Sequence, residues 1–220
     1  MLAPAIIYED NHLLIVQKAP GWLAQPDGGA RPDLLSWAGT YLARRKPGRA
    51  FVGLVHRLDR AVGGVTALAK TSKAAARLSR QFREGTADKI YLALVEAPPP
   101  AESGRLEQAL FRDRTVTRPA RGEREGTAAA LEWKTRLKTR SLTVLEIKLL
   151  SGFKHQIRAQ LATLGLPVLG DLKYGSRLAP HGPAIGLWAE SLGLDHPTLG
   201  RRLTFKAAPP EIWPWNLLDA

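Results

Sequence analysis

The chain has 220 residues, 32 Lys plus Arg against 20 Asp plus Glu for a net charge of +12, and no cysteine. An apolar share of 45% and a charged share of 24% point to one globular domain over residues 1–220 and exclude wholesale disorder, a collagen repeat and a coiled-coil rod. Without cysteine there is no disulfide scaffold, thiolate metal site, iron–sulfur cluster or cysteine nucleophile, and the positive excess predicts a polyanionic partner bound through counterion release.

In chain order, Ile6 to Tyr8 and Leu13 to Val16 flank Glu9-Asp10-Asn11-His12 in a hairpin pattern, and Lys18-Ala19-Pro20-Gly21 ends the second run in a turn. Leu34 to Leu42 reads as a helix capped by Asp33 and closing in Arg44-Arg45-Lys46, where cations suit a helix C-terminus. Phe51 to Val55 and Val65 to Ala69 read as strands, and the polar loop between them, His56 to Gly64, is a candidate site. Ser72 offers an N-cap for a helix with Ala75, Leu78 and Phe82 on its core face and Lys73, Arg77 and Arg80 on a basic face, stopped by Gly85.

Ile90 to Val95 is a further strand, ended by Ala97-Pro98-Pro99-Pro100. Residues 105–140 hold ten Lys or Arg and five Asp or Glu and read as charged strands and loops. Leu131 to Leu137 and Leu142 to Leu149 form two long strands, the second bulged where its alternation changes phase. A helix is expected from Lys154 to Leu164, burying Ile157, Leu161 and Leu164, with Gly165 as its exit. Beyond it, Pro, Gly and turn residues break the tail into short pieces, with a strand at Leu203 to Phe205 and an apolar end at Ile212 to Trp215.

The sequence contains no P-loop, no G-x-G-x-x-G, no G-x-S-x-G and no H-E-x-x-H, and its five histidines lack metal-ligand spacing, so no metal is expected. Ser151-Gly152-Phe153-Lys154 matches S-x-x-K without the S-D-N and K-T-G that accompany it in serine acyl enzymes, and His56-Arg57-Leu58-Asp59 misses the kinase H-R-D spacing by one. What remains is Asp59, an aspartate flanked by Arg57 and Arg60. An ionised carboxylate there is either a nucleophile or one partner of a surface ion pair.

Four blocks in order decide how that aspartate is read: His56-Arg57-Leu58-Asp59, Lys89-Ile90-Tyr91, His155-Gln156-Ile157-Arg158 and Asp171-Leu172-Lys173-Tyr174-Gly175. Together with Lys18-Ala19-Pro20-Gly21 and Ala208-Pro209-Pro210, they resemble the RluA-type pseudouridine synthases from about Tyr8 to Pro210. The resemblance implies an α+β catalytic fold: a mostly antiparallel mixed central sheet flanked by helices and loops, with two lobes around an RNA cleft. It also implies a cofactor-free isomerisation in which uracil is detached from its ribose, turned and rejoined through carbon. By the same resemblance Asp59 is the catalytic aspartate, Tyr91 stacks on the uracil, and Arg158 pairs with Asp59. Arg57 fills the space a flipped base vacates. His56, Arg60, Lys89, Lys154, His155 and Gln156 line the substrate site, and Lys73, Arg77, Arg80, Arg44 to Arg49 and Arg112 to Arg124 are candidate phosphate contacts.

The chain departs from the family pattern where Val62-Gly63-Gly64 replaces Thr-Ser-Gly, where Phe153 and Lys154 replace the usual arginine, and at Trp188. The family pattern begins almost at Met1, so no S4 RNA-binding domain is expected and substrate choice falls to the catalytic domain's own loops. The expected partner is ribosomal or transfer RNA, with no protein partner, a monomeric state and a cytoplasmic location; no apolar run reaches the roughly 20 residues of a spanning helix. The alternatives are an RNA-binding or RNA-remodelling protein that retains the fold without turnover, and a basic protein of the membrane surface.

Overall fold

A computed structural model describes residues 2–45, 51–120 and 125–218. In chain order these form β1 (Ala5–Glu9), β2 (Leu13–Lys18), α1 (Leu34–Arg45), β3 (Gly53–Leu54), β4 (Gly63–Ala69), α2 (Ser72–Glu84), β5 (Asp88–Val95) and β6 (Ser103–Asp113). There follow β7 (Val116–Pro119), β8 (Thr127–Lys138), β9 (Thr143–Leu149), α3 (Gln156–Thr163), β10 (Leu187–Asp195) and β11 (Arg202–Lys206), with short 3-10 turns at Leu172–Tyr174 and Trp215–Leu218. The chain divides into two compact units: residues through Ala87 with Ala189–Ala208, and Asp88–Trp188 with the stretch from Pro209.

In the first unit the strands lie in the order β1-β2-β4-β10-β11, with β3 also on β4. The expected opening hairpin is there, and its turn has a clear cause. The Asp10 carboxylate accepts the backbone N–H groups of His12 and Leu13 at 2.7 Å each, the Tyr8 hydroxyl at 2.9 Å and His196 Nε2 at 2.6 Å. Burial alone would raise its pKa; those donors outweigh it and bring it down to about 2. β4 is buried along its whole length, and Leu14, Val16 and Leu68 meet Leu34 and Ala38 of α1 in one core. Asp33 caps α1 by accepting Ser36 N–H at 2.8 Å, as the sequence predicts, and the helix runs three residues past Leu42.

Three local expectations change in this unit. The first loop-flanking strand shrinks to Gly53–Leu54. The cap of α2 is Thr71, whose Oγ1 accepts Ala74 N–H at 3.2 Å, rather than Ser72, which is the first helical residue. The tail is less broken than expected, because β10 is a nine-residue strand whose Trp188 is fully buried. Its Glu190, Ser191 and Gly193 disguise it: they interrupt both alternation and an apolar run, while pairing partners far away in sequence make it a strand.

In the second unit the order is β5-β9-β8-β6-β7, each neighbouring pair antiparallel. The bulge expected in the second long strand lies in the first. Thr135 and Leu137 of β8 face the adjacent Leu145 and Val144 of β9, so Arg136 is the extra residue. α3 begins at Gln156, two residues later than expected, because His155 sits in the left-handed region at φ 55° and turns the chain into the helix. The expected three-residue stripe is also too narrow: Gln156 through Leu161 are all buried, and Leu164 is the C-cap.

Candidate active site

In the first unit the segment carrying Asp59 is held by apolar anchors and by backbone. Val55, Leu58 and Val62 point into the core while Arg57 and Arg60 stay exposed and Asp59 is half-buried. Val62 N–H closes a turn on Asp59 C=O at 3.0 Å, so the residue that replaces the family's threonine serves through its main chain and its packing. Gly64 keeps the family's glycine for a steric reason. Its φ is +123°, and a Cβ there would lie 2.2 Å from the Ala189 carbonyl oxygen. His56 stacks on Phe82, with ring centroids 4.3 Å apart, and its Nε2 accepts Ala67 N–H at 2.9 Å.

The Lys18-Ala19-Pro20-Gly21 turn braces this loop. Gly21, at φ +91°, donates its N–H to the Arg60 carbonyl at 2.7 Å. Lys18 is fully buried, and its ammonium donates to the carbonyls of Trp22 at 2.9 Å, Ala19 at 3.2 Å and Arg60 at 3.4 Å. Burial pulls its pKa down to about 7; the charge of Asp59 works against that fall and Arg60 adds to it. Lys18 was not among the expected site residues. The signal was the unbroken apolar run Leu13 to Val16, which marks a strand buried on both faces that the lysine continues.

In the second unit Arg158 is fixed by side chains. Its Nε and Nη2 meet the two oxygens of Asp171 at 2.6 and 2.8 Å, a bidentate pair in which both residues are buried. The Tyr174 ring lies under the guanidinium, 4.9 Å from Cζ to centroid. Gln156, expected to touch substrate, spends its amide on the scaffold: Oε1 accepts from Ser151 Oγ at 2.8 Å and Phe153 N–H at 3.0 Å, and Nε2 donates to Ala130 C=O and Gln160 Oε1, each at 3.0 Å. Lys89 is buried as well, donating to the Ser151 carbonyl at 2.9 Å, and burial lowers its pKa. His155 Nδ1 lies 2.9 Å from the Tyr174 hydroxyl, and the Lys154 carbonyl accepts from Thr117 Oγ1 at 2.6 Å. Tyr91 is half-buried on β5, opposite Ile147 of β9.

The expected phosphate contacts divide into three groups. Lys73 and Arg80 are exposed on α2, whereas Arg77 turns its guanidinium to the Pro197 carbonyl. Arg112 and Arg118 are exposed but engaged, with Arg112 Nε on the Arg114 carbonyl at 2.9 Å and Arg118 Nε on Asp113 at 3.2 Å. Lys46, Arg49, Arg121 and Arg124 lie outside the described residues.

Comparison with known proteins gives this arrangement its class. A family profile described as RNA pseudouridylate synthase matches residues 12–163, well over half of the chain. The human protein RNA Pseudouridylate Synthase Domain Containing 4 shares the fold, with a TM-score of 0.80 at 23% identity over 97% of this chain and 92% of its own. The dual-specificity RNA pseudouridine synthase RluA of Escherichia coli (strain K12) is 33% identical over 213 residues, covering 92% of this chain and 91% of the relative. Ribosomal large subunit pseudouridine synthase D of Zymomonas mobilis is 29% identical over 221 residues, covering 94% of this chain and 69% of the relative. The fold is therefore that of the pseudouridine synthases. The chain belongs to the RNA pseudouridylate synthase family, is of the RluA type, and is an RNA pseudouridine synthase, an isomerase whose substrate is RNA.

Proposed function

We propose that this enzyme converts specific uridines of ribosomal or transfer RNA to pseudouridine through Asp59, with residues 1–220 serving as one catalytic domain of a cytoplasmic monomer. The relatives' printed names, one dual-specificity and one of the ribosomal large subunit, support that substrate class. The observation that carries Asp59 is its setting: a half-buried carboxylate on a loop braced by the Arg60 carbonyl, with the fully buried Lys18 ammonium contributing positive charge.

In this reading the target nucleotide is extruded from its stack, and Arg57, exposed beside Asp59, fills the vacated space. Asp59 assists departure of uracil from C1′ through N1. The base turns and rejoins C1′ through C5, N1 takes up a proton, and C5 loses one with the help of Tyr91. Arg158, locked by Asp171, orients the carboxylate. His56, Lys89 and Gln156, whose hydrogen bonds run to the scaffold, hold these groups in place, while Arg60, Lys154, His155 and the α2 residues Lys73, Arg77 and Arg80 meet RNA.

The test is to incubate the protein with unmodified ribosomal and transfer RNA transcripts and map pseudouridine by a chemical adduct that stops reverse transcription. A stop at defined uridines is expected, reduced by more than about 10³-fold in rate for Asp59→Asn with unfolding unchanged. Equal product from the variant would remove Asp59 from the mechanism.

A further inference from the structure

The Asp171 to Gly175 segment joins two parts of the second unit that sequence keeps far apart. Asp171 grips Arg158. Three residues on, the Tyr174 phenol accepts the backbone N–H of Thr117 on β7 at 2.8 Å and lies 2.9 Å from His155 Nδ1, with the two rings edge-on. The phenol oxygen accepts from Thr117, and its bond with His155 Nδ1 is given by the Tyr174 proton or by the imidazole N–H according to the ring's tautomer. Burial pushes the phenol's pKa up, which keeps its proton in place at neutral pH.

Thr117 is itself buried, and its hydroxyl donates to the Lys154 carbonyl at 2.6 Å. Lys173 Nζ adds a bond to the Thr115 carbonyl at 2.7 Å. The β6–β7 hairpin, which exposes Arg112, Arg114 and Arg118, is thus stitched at its turn end to the left-handed His155 and to the residues that hold Arg158. Any shift of the hairpin's turn end pulls on Thr117, and Thr117 is bonded both to the phenol under Arg158 and to the turn that starts α3.

We propose that Tyr174 is a positioning residue that couples the β6–β7 hairpin, through Thr117, to Arg158, so that RNA phosphates on the hairpin arginines set the geometry of the catalytic arginine. The inference rests on the reading of Arg158 given above. Two variants isolate the link: Tyr174→Phe keeps the ring beneath Arg158 and removes the hydroxyl, and Thr117→Val keeps the side-chain volume and removes the bond to Lys154. Both are compared with the unaltered enzyme in single-turnover pseudouridine formation at saturating unmodified rRNA or tRNA transcript, beside filter-binding affinity and thermal unfolding.

A rate loss between about 10- and 100-fold is expected, the scale of a misplacement near 1 Å, with affinity changed less than about twofold. Arg112→Ala/Arg114→Ala should lower affinity and rate, and its rate loss should combine with that of Tyr174→Phe less than additively. Rates within about twofold of the parent in whichever variants fold, or fully additive losses, would overturn the coupling while leaving Asp59-dependent activity intact. If Tyr174→Phe does not fold, Thr117→Val and its cycle with the arginine pair decide alone. Absence of any Asp59-dependent product from the unaltered chain would overturn the functional reading, and the coupling with it.

Discussion

The segments bearing Asp59 and Arg158 are held by different chemistry. Around Asp59 three hydrogen bonds end on main chain, beside the apolar anchors Val55, Leu58 and Val62: Gly21 N–H and the Lys18 ammonium reach the Arg60 carbonyl, and Val62 N–H reaches that of Asp59. Around Arg158 the connections are side chain to side chain, through the bidentate Asp171 and the Tyr174 ring. A loop fixed in part through its backbone keeps those bonds when a side chain changes: Val62 N–H closes the turn on Asp59 C=O whatever side chain stands there, and its own side chain packs in the core. A guanidinium fixed by side chains depends on each of them. The second unit is therefore the place where single substitutions should do most damage.

The largest effect follows from that dependence. Asp171→Ala leaves the Arg158 charge without its bidentate partner in a buried setting, and removing one member of such a pair costs about 3–5 kcal/mol. For a chain of this size that is a fall of roughly 10 °C in Tm, read by calorimetry. A loss under about 1 kcal/mol would mean that Arg158 is held mainly by other groups.

A titration probes the other side of the comparison. Lys18 has a folded-state pKa of about 7 against an ordinary 10.5, so between those values the unfolded chain binds more protons than the folded one. Its contribution is least favourable below pH 7 and improves as pH rises toward 10.5, by up to about 1.4 kcal/mol per pH unit. Urea unfolding at pH 6.5, 8 and 9.5 should show that slope, and Lys18→Met should flatten it. Lys89, also buried and lowered, shifts in the same direction, so the difference between parent and variant is the quantity that reports on Lys18. An unchanged slope would mean that the buried ammonium keeps its proton throughout.

The opening hairpin, the caps at Asp33 and Gly85 and most strand positions were legible because local chemistry decides them. The β10 strand was not, since its Glu190, Ser191 and Gly193 are compatible with a strand only after long-range pairing. Within the site the ordered motifs marked Asp59, Tyr91 and Arg158 by resemblance. Gln156 and Lys89 were expected at the substrate because they stand in the blocks that carry the family resemblance, and their burial turns their hydrogen bonds to Ala130, Gln160 and Ser151. Asp171 and Tyr174 stood in a quoted motif without roles, because a carboxylate 13 residues from its arginine in sequence carries no local signal of the bidentate pair. Lys18 alone could have been found, as the lysine that continues the unbroken apolar run of β2.

The smallest predicted effect separates the two basic surfaces. In the second unit Lys134 and Arg136 both reach Glu146, Arg105 reaches Glu107 and Glu132, and Lys138 reaches Glu102, so cation is matched by anion across the strand faces. On α2 of the first unit, Lys73 and Arg80 stand exposed in a helix whose only acidic residue is Glu84 at its end. Counterion release follows uncompensated charge, so Lys73→Ala and Arg80→Ala should each reduce the slope of log affinity against log salt by about one. Lys134→Ala should leave that slope unchanged and cost at most about 1 kcal/mol of stability, as exposed ion pairs do. Filter binding of one rRNA transcript between 50 and 300 mM salt reads all three, and an equal loss of slope from Lys134→Ala would show that RNA competes successfully with Glu146 for that lysine.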